Sequence, residues 1–336
     1  MNGLLEWALD TKHATYSFAL YRIIYGSTVL AVLATSFADR HYLWGVGSRF
    51  IDPVATNRGY PWFFDVLFSK HDAVLFDLAY LVLALLAVLF TLGWRTRIAA
   101  PLLLLFWIGL STNSTVLTNG GDTLMRITLF FALFADLGGR WSLDARRLAR
   151  RPVTRHRAKS RVPEWVTTLA HNTALVLCAY QILLVYLTSS LLKLQGEEWV
   201  RGTATYYALS LDVFRPIPWL NDLFTVWDAP VLMASAMTVG LQLLFPLFLL
   251  WRPTRIVAIL GIMGIHAGIG LMLGLWPFSL IMIALDVLFV RDATWQWMLS
   301  VGHSWVSKQG GAEEAVEHAA PEGALGGVPA GVAAHE

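Results

Sequence analysis

Cysteine is almost missing from this chain: Cys178 is the only one in 336 residues. An intrachain disulfide is therefore excluded, and a thiolate metal site has no ligand set to draw on. Charge is scarce as well, at 14% of residues, where a soluble domain carries roughly a quarter. No zinc-binding or phosphate-loop spacing occurs, and nothing marks a reader of nucleic acid. No internal repeat is visible, which counts against transporter folds built from duplicated halves. What is present is apolar: 56% of residues are hydrophobic and the mean hydropathy is +0.56. These features read as an integral protein of the cell membrane, in contact with lipid and with neither a metal site nor a nucleic-acid partner.

Tryptophan is abundant, and Trp94, Trp141, Trp165, Trp199, Trp227, Trp251 and Trp276 fall at the ends of apolar runs. There an indole buries its ring and keeps its N–H wet. The runs lie at about Ala14–Phe37, Ala73–Trp94, Ile98–Val116, Thr123–Leu137, Trp165–Leu194, Ala229–Trp251, Ile256–Leu273 and Phe278–Val290. Ser36-Phe37-Ala38 resembles a signal-peptide cleavage site, but Arg22 inside the first run argues for a retained helix. The last run is short for a span of roughly 20 residues, so it is expected either to borrow Trp276 and Pro277 or to be tilted and partly shielded. The pattern predicts an all-α polytopic membrane protein of about eight transmembrane helices with two external aromatic loops, Asp39–His71 and Gly196–Asp228. Residues 1–13 read as an interfacial amphipathic lead-in, 14–292 as the transmembrane domain, 293–308 as a second interfacial segment and 309–336 as a disordered tail.

Orientation follows from basic residues in the loops. Arg140–Arg161 holds nine Lys or Arg. Placing it in the cytoplasm also puts Arg95–Arg97 and Arg252–Arg255 inside, both aromatic loops outside and both termini in the cytoplasm.

Ionisable groups within apolar runs cost several kcal/mol, so each needs a partner or a cavity. Arg22 reads as structural, snorkelling or bonded to a carbonyl, with Gly26 one turn on permitting close helix approach. Asp77 and Asp286 also read as structural. Asp122 and Arg126, four apart on one helix face, are able to pair. Asp122 follows Asn119-Gly120-Gly121, where a helix N-terminus favours a carboxylate. His266 falls near mid-membrane among Gly264, Gly268 and Gly270, either as a neutral imidazole bonded to a carbonyl or as a site residue. Lys193 ends a long apolar run just before Gly196, Glu197, Glu198 and Trp199. It is either a snorkelling anchor or an amine held in a cavity as a base. Lys193, Asp122 and the deeper His266 can line a pocket near the outer surface, of a kind that suits a flat lipophilic ligand such as a quinone.

The order LYRIIYG, TLGWRTR, NGGD, WSLD and YLTSSLLKLQGEEWVRGTA resembles the horizontally transferred transmembrane (HTTM) domain. That domain is the membrane part of vitamin K-dependent γ-glutamyl carboxylase and of many bacterial proteins. The resemblance covers about Tyr16–Val290, and its most specific part runs from Lys193-Leu194 through Glu198-Trp199 to Gly202. It implies that Lys193 is a catalytic base toward a reduced, vitamin K-type quinone and that His266 is a functional histidine. Asp122, Arg126 and Trp199 are the expected cofactor contacts. Where the carboxylase has an asparagine-histidine pair, this chain has Gly121-Asp122. The carboxylase's large lumenal domain is not expected after Val290. Two functions follow as expectations: a carboxylase-like or quinol-dependent lyase or oxidoreductase, or a non-enzymatic accessory to a secreted peptide or protein. The second arises because a bacterial member acts in maturation or export of a secreted toxin.

Overall fold

Each of the eight apolar runs folds as a helix, and several helix ends are fixed by side chains arriving from elsewhere in the chain. The structure is a computed structural model and describes residues 2–48, 62–69, 71–114, 117–150 and 162–302, with no strand among them. In chain order the helices are α1 (Asn2–Leu9), α2 (Thr15–Thr35), α3 (Arg40–Leu43), α4 (Phe63–Leu67), α5 (Ala73–Leu92), α6 (Thr96–Thr112), α7 (Gly120–Ala132) and α8 (Leu143–Ala149). They continue with α9 (Glu164–Lys193), α10 (Glu197–Arg201), α11 (Ala204–Ser210), α12 (Pro218–Thr225), α13 (Asp228–Phe248), α14 (Arg252–Leu273) and α15 (Trp276–Asp286), which runs on as a 3-10 turn, Val287–Phe289. Met1–Asp292 forms one compact unit; in the second, residues 293–302 are helical. Residues 303–336, residues 151–161 of the basic stretch, and residues 49–61 and 70 of the first aromatic loop lie outside the described residues.

Among the described residues, five helices are long and apolar enough to cross a membrane: α2, α5, α9, α13 and α14. α6 and the α15 unit are apolar but shorter. The outer surface supports a membrane setting. On α5, Phe76, Tyr80, Leu83 and Phe90 are buried while Leu78, Leu81 and Leu85 are exposed. A helix apolar on both faces takes lipid as its outer solvent.

The run expected at Thr123–Leu137 is displaced. α7 begins at Gly120 because the Asn119 side chain accepts from the Gly121 and Asp122 amides, and the Asp122 carboxylate accepts from the Asn119 amide. This capping box satisfies the amides of the first turn and starts the helix three residues early. The short α15 is shielded as expected. It packs against α2, α7, α9 and α14, so much of its surface meets helices rather than lipid.

Arg22 is fully buried and structural. Its Nη1 donates to the carbonyls of Phe90 at 2.8 Å and Thr91 at 2.5 Å, and its Nη2 to the carbonyl of Trp141 at 2.7 Å. These carbonyls include the last of α5, which have no intrahelical donor. Close by, the Asp144 carboxylate accepts from the Arg95 and Thr96 amides and the Thr96 hydroxyl, capping α6 from a distance. LYRIIYG, TLGWRTR and WSLD thus dock as one unit. Gly26 belongs to it too, since a Cβ there would lie 2.1 Å from Thr91 Oγ1. Asp77 is likewise structural, held by Arg40 at 2.7 Å and 3.1 Å and by His41 at 3.1 Å. The lead-in is tied to α9, where Asn172 donates to the carbonyls of Trp7, Ala8 and Thr11.

Candidate functional site

Tyr186, Ser189 and Lys193 fall on one face of α9, at helical positions i, i+3 and i+7. Lys193 is the last residue of that helix and only partly buried. Its Nζ donates to Ser189 Oγ at 2.5 Å and to Gln242 Oε1 on α13 at 2.9 Å. The Trp199 ring covers the same nitrogen, with its centroid 5.3 Å away. Among the described residues no carboxylate lies within ion-pair distance of this amine.

Trp199 reaches Lys193 because the chain breaks at Gly196 and restarts as the one-turn α10. That turn ends at Gly202, whose φ of 79° is left-handed. A side chain there would be strained by its backbone alone, and a Cβ would sit 2.2 Å from Leu232 Cδ1. The spacing from tryptophan to glycine therefore sets the turn that places the indole over the amine. The rest of Gly196–Asp228, read from the sequence as a loop, is built of the short helices α10, α11 and α12.

Two turns deeper along α9, the Tyr186 hydroxyl lies 3.1 Å from His266 Nε2 on α14 and donates to Asp286 Oδ1 on α15 at 2.6 Å. All three residues are buried. Counted from the helix ends at Lys193, Gly274 and Trp276, they lie roughly 10 to 15 Å inside the bundle at 1.5 Å per residue. The Tyr186 and His266 rings stack with centroids 5.9 Å apart, and Phe278 meets His266 edge-on at 5.8 Å. His266 Nδ1, Asp286 Oδ2 and Ser279 Oγ are buried without a hydrogen-bond partner among the described residues. Tyr186, on the α9 face that carries Lys193, is what links the imidazole to the amine's helix.

Asp122 and Arg126 stand at its margin. The Asp122 carboxylate is used in the α7 cap. The Arg126 guanidinium contacts the Asp122 carbonyl and the Thr123 hydroxyl, both at 3.4 Å. The ion pair allowed by their spacing is not formed, because the cap already engages the carboxylate. Neither residue bonds to Lys193, His266 or Trp199 among the described residues. Their link is through packing: α7 starts against Phe278, with Gly121 so close that a Cβ would be 3.1 Å from Phe278 Cα. A cavity of about 230 Å³ lined by Thr96, Arg97, Ala100, Leu133 and Asp136 lies near the Arg22–Asp144 unit. Its lining includes none of Lys193, Trp199, Tyr186, His266, Asp286, Asp122 and Arg126.

The family is decided by a match to the HTTM domain over residues 11–295. This chain belongs to the HTTM family. It is 25% identical over 310 residues to sporulation-delaying protein SdpB of Bacillus subtilis, covering 87% of this chain and 88% of SdpB. It is also 23% identical to uncharacterized protein YitO of the same organism, covering 68% and 72% of the two chains. No solved structure gives a significant match.

In this HTTM chain, sequence reasoning missed Tyr186, Gln242 and Asp286. The signal for Tyr186 was its seven-residue spacing from Lys193. Gln242 is neutral and so was passed over among the ionisable groups. Asp286 was read as structural from its place near a segment end. The fold sets it against Tyr186 of α9, 100 positions earlier.

Proposed function

We propose that this HTTM membrane protein binds a reduced, lipophilic quinone beside Lys193 and uses that lysine as a base. The observation that supports the reading most directly is the Lys193 amine, bonded to a hydroxyl and an amide oxygen, against an indole face and with no carboxylate partner among the described residues. A neutral amine satisfies both contacts with its two N–H groups and keeps a lone pair free. A positioned base of this kind contributes about 10² to 10⁴ in rate.

The neighbouring residues fit such a ligand. His266 Nδ1 and Ser279 Oγ are buried polar atoms without partners among the described residues, suited to a hydroxyl. Trp199 and Phe278 offer faces to a flat ring. Lys193 and His266 would hold the ligand's polar atoms, with Trp199 over it and Asp122 and Arg126 at the mouth. When bound, a quinol supplies the reducing electrons of a carboxylase-like lyase or of a quinol-dependent oxidoreductase. On this reading all eight apolar helices span the membrane. The α3–α4 and α10–α12 regions form external aromatic loops, and both termini are cytoplasmic.

A second reading, an accessory protein for a secreted peptide without turnover of its own, is favoured by the near-full-length similarity to the sporulation-delaying protein. The two separate on purification in mild detergent, solvent extraction and mass spectrometry. Stoichiometric quinone in the native protein, lost in Lys193→Ala, is expected. Lys193→Arg keeps the charge but not a usable base, and should bind quinone while losing the cellular phenotype. Unchanged quinone content and phenotype in Lys193→Ala would instead favour the accessory role.

A further inference from the structure

We infer that Asp286, Tyr186 and His266 form a proton relay that moves one proton between His266 Nδ1 and Asp286 Oδ1. Three helices contribute one residue each, and the chain is continuous at 3.1 Å and 2.6 Å. All three residues are at most 1% exposed, so water does not compete for these contacts. Tyr186 occupies the middle, and its single hydroxyl oxygen can donate to one neighbour while accepting from the other. His266 Nδ1, at the free end, has no partner among the described residues.

Two proton arrangements satisfy both contacts. In one, Asp286 is a carboxylate, Tyr186 donates to it, and His266 is the neutral tautomer protonated on Nε2 and donating to Tyr186. In the other, Asp286 is a carboxylic acid donating to Tyr186, Tyr186 donates to Nε2, and His266 carries its proton on Nδ1. They differ by one proton.

The step between them balances. A ligand O–H bond breaks and an N–H bond forms at Nδ1. The Nε2–H bond breaks as an O–H bond forms on Tyr186. The original Tyr186 proton forms an O–H bond with Asp286 Oδ1. The imidazole is neutral before and after, and one negative charge passes from Asp286 to the ligand oxygen. The ligand class is a weakly acidic, lipophilic hydroxyl compound. This rests on the quinol reading above, in which Lys193 takes one proton and the second hydroxyl needs another path. The relay itself does not depend on that reading. Tyr186 and Asp286 act through His266 and are positioning residues. The titratable groups in contact with the imidazole are Tyr186 and, through Tyr186, Asp286.

The test is nitrogen NMR on the full-length protein in detergent, with ¹⁵N-labelled histidine and His266 assigned by His266→Asn. Asp286→Asn should shift the His266 ring signals although the two residues do not touch. Tyr186→Phe should shift them too, and adding Asp286→Asn to Tyr186→Phe should produce no further shift. An Asp286→Asn protein with the native His266 signal would overturn the relay. So would an Asp286 effect that persists without the tyrosine hydroxyl.

If these near-isosteric variants do not fold, the native protein alone suffices. Its His266 should change from the Nε2–H to the Nδ1–H tautomer in step with protonation of ¹³C-labelled Asp286. A direct change to imidazolium, or no change at either end, would overturn the inference. No arm uses a quinone. Failure of the quinone assay with a coupled His266 signal rejects the ligand and keeps the relay, and the converse result does the opposite.

Discussion

Lys193 Nζ and Gln242 Oε1 are joined at 2.9 Å although 49 positions separate them in sequence. This bond ties the last turn of α9 to α13 and fixes one of the amine's N–H directions. Gln242→Leu keeps most of the volume and removes the acceptor. It should cost about 1 kcal/mol of stability and lower co-purifying quinone several-fold. Thermal unfolding and mass spectrometry read the two effects. Native quinone retention in this variant would mean that Gln242 does not position the amine.

Arg22 holds three carbonyls from two segments with one guanidinium. Arg22→Met should destabilise by about 3 kcal/mol or more, because buried acceptors lose a charged donor. Arg22→Lys should recover only part of this, since an ammonium lacks the planar fork. Denaturant unfolding in detergent is the measurement, and equal stability of the lysine variant and the native protein would count against the arrangement.

Gly202→Ala meets two obstacles, a left-handed backbone and the Leu232 side chain. A loss of about 1 to 3 kcal/mol is expected. Adding Leu232→Ala should relieve the steric part and leave the backbone part. Full rescue by the double variant would show that conformation contributes nothing there.

Asp144 caps α6 from outside the helix. Asp144→Ala should cost about 1 to 2 kcal/mol and speed hydrogen exchange at the Arg95 and Thr96 amides. Asp144→Asn, which keeps one acceptor oxygen, should fall between. Unaltered exchange at both amides in Asp144→Ala would remove the cap from the account.

The helical runs were legible because a bilayer imposes length and apolarity on every crossing segment. Arg22 was legible as structural for a related reason, since a charge in such a run must find a partner, and Asp77 from its place near a segment end. Lys193 and His266 stood out as ionisable groups in apolar surroundings. Gly26 was legible as a close helix contact. What stayed hidden was any polar group that is ordinary in its own segment. Tyr186 and Gln242 carry no charge, and Asp286 looked like one more end-of-helix carboxylate. The α7 capping box was also missed as a boundary, although Asn119 and Asp122 stand at its spacing.

Composition and periodicity by themselves determined the membrane class, the helical runs and the two titratable groups worth watching, because those properties are carried by single segments. The pairing of Lys193 with Gln242, and the chain from His266 through Tyr186 to Asp286, were decided only when α9, α13, α14 and α15 packed together. Hydrogen bonds reach about 3 Å, and a partner at that range on another helix leaves no mark on local sequence.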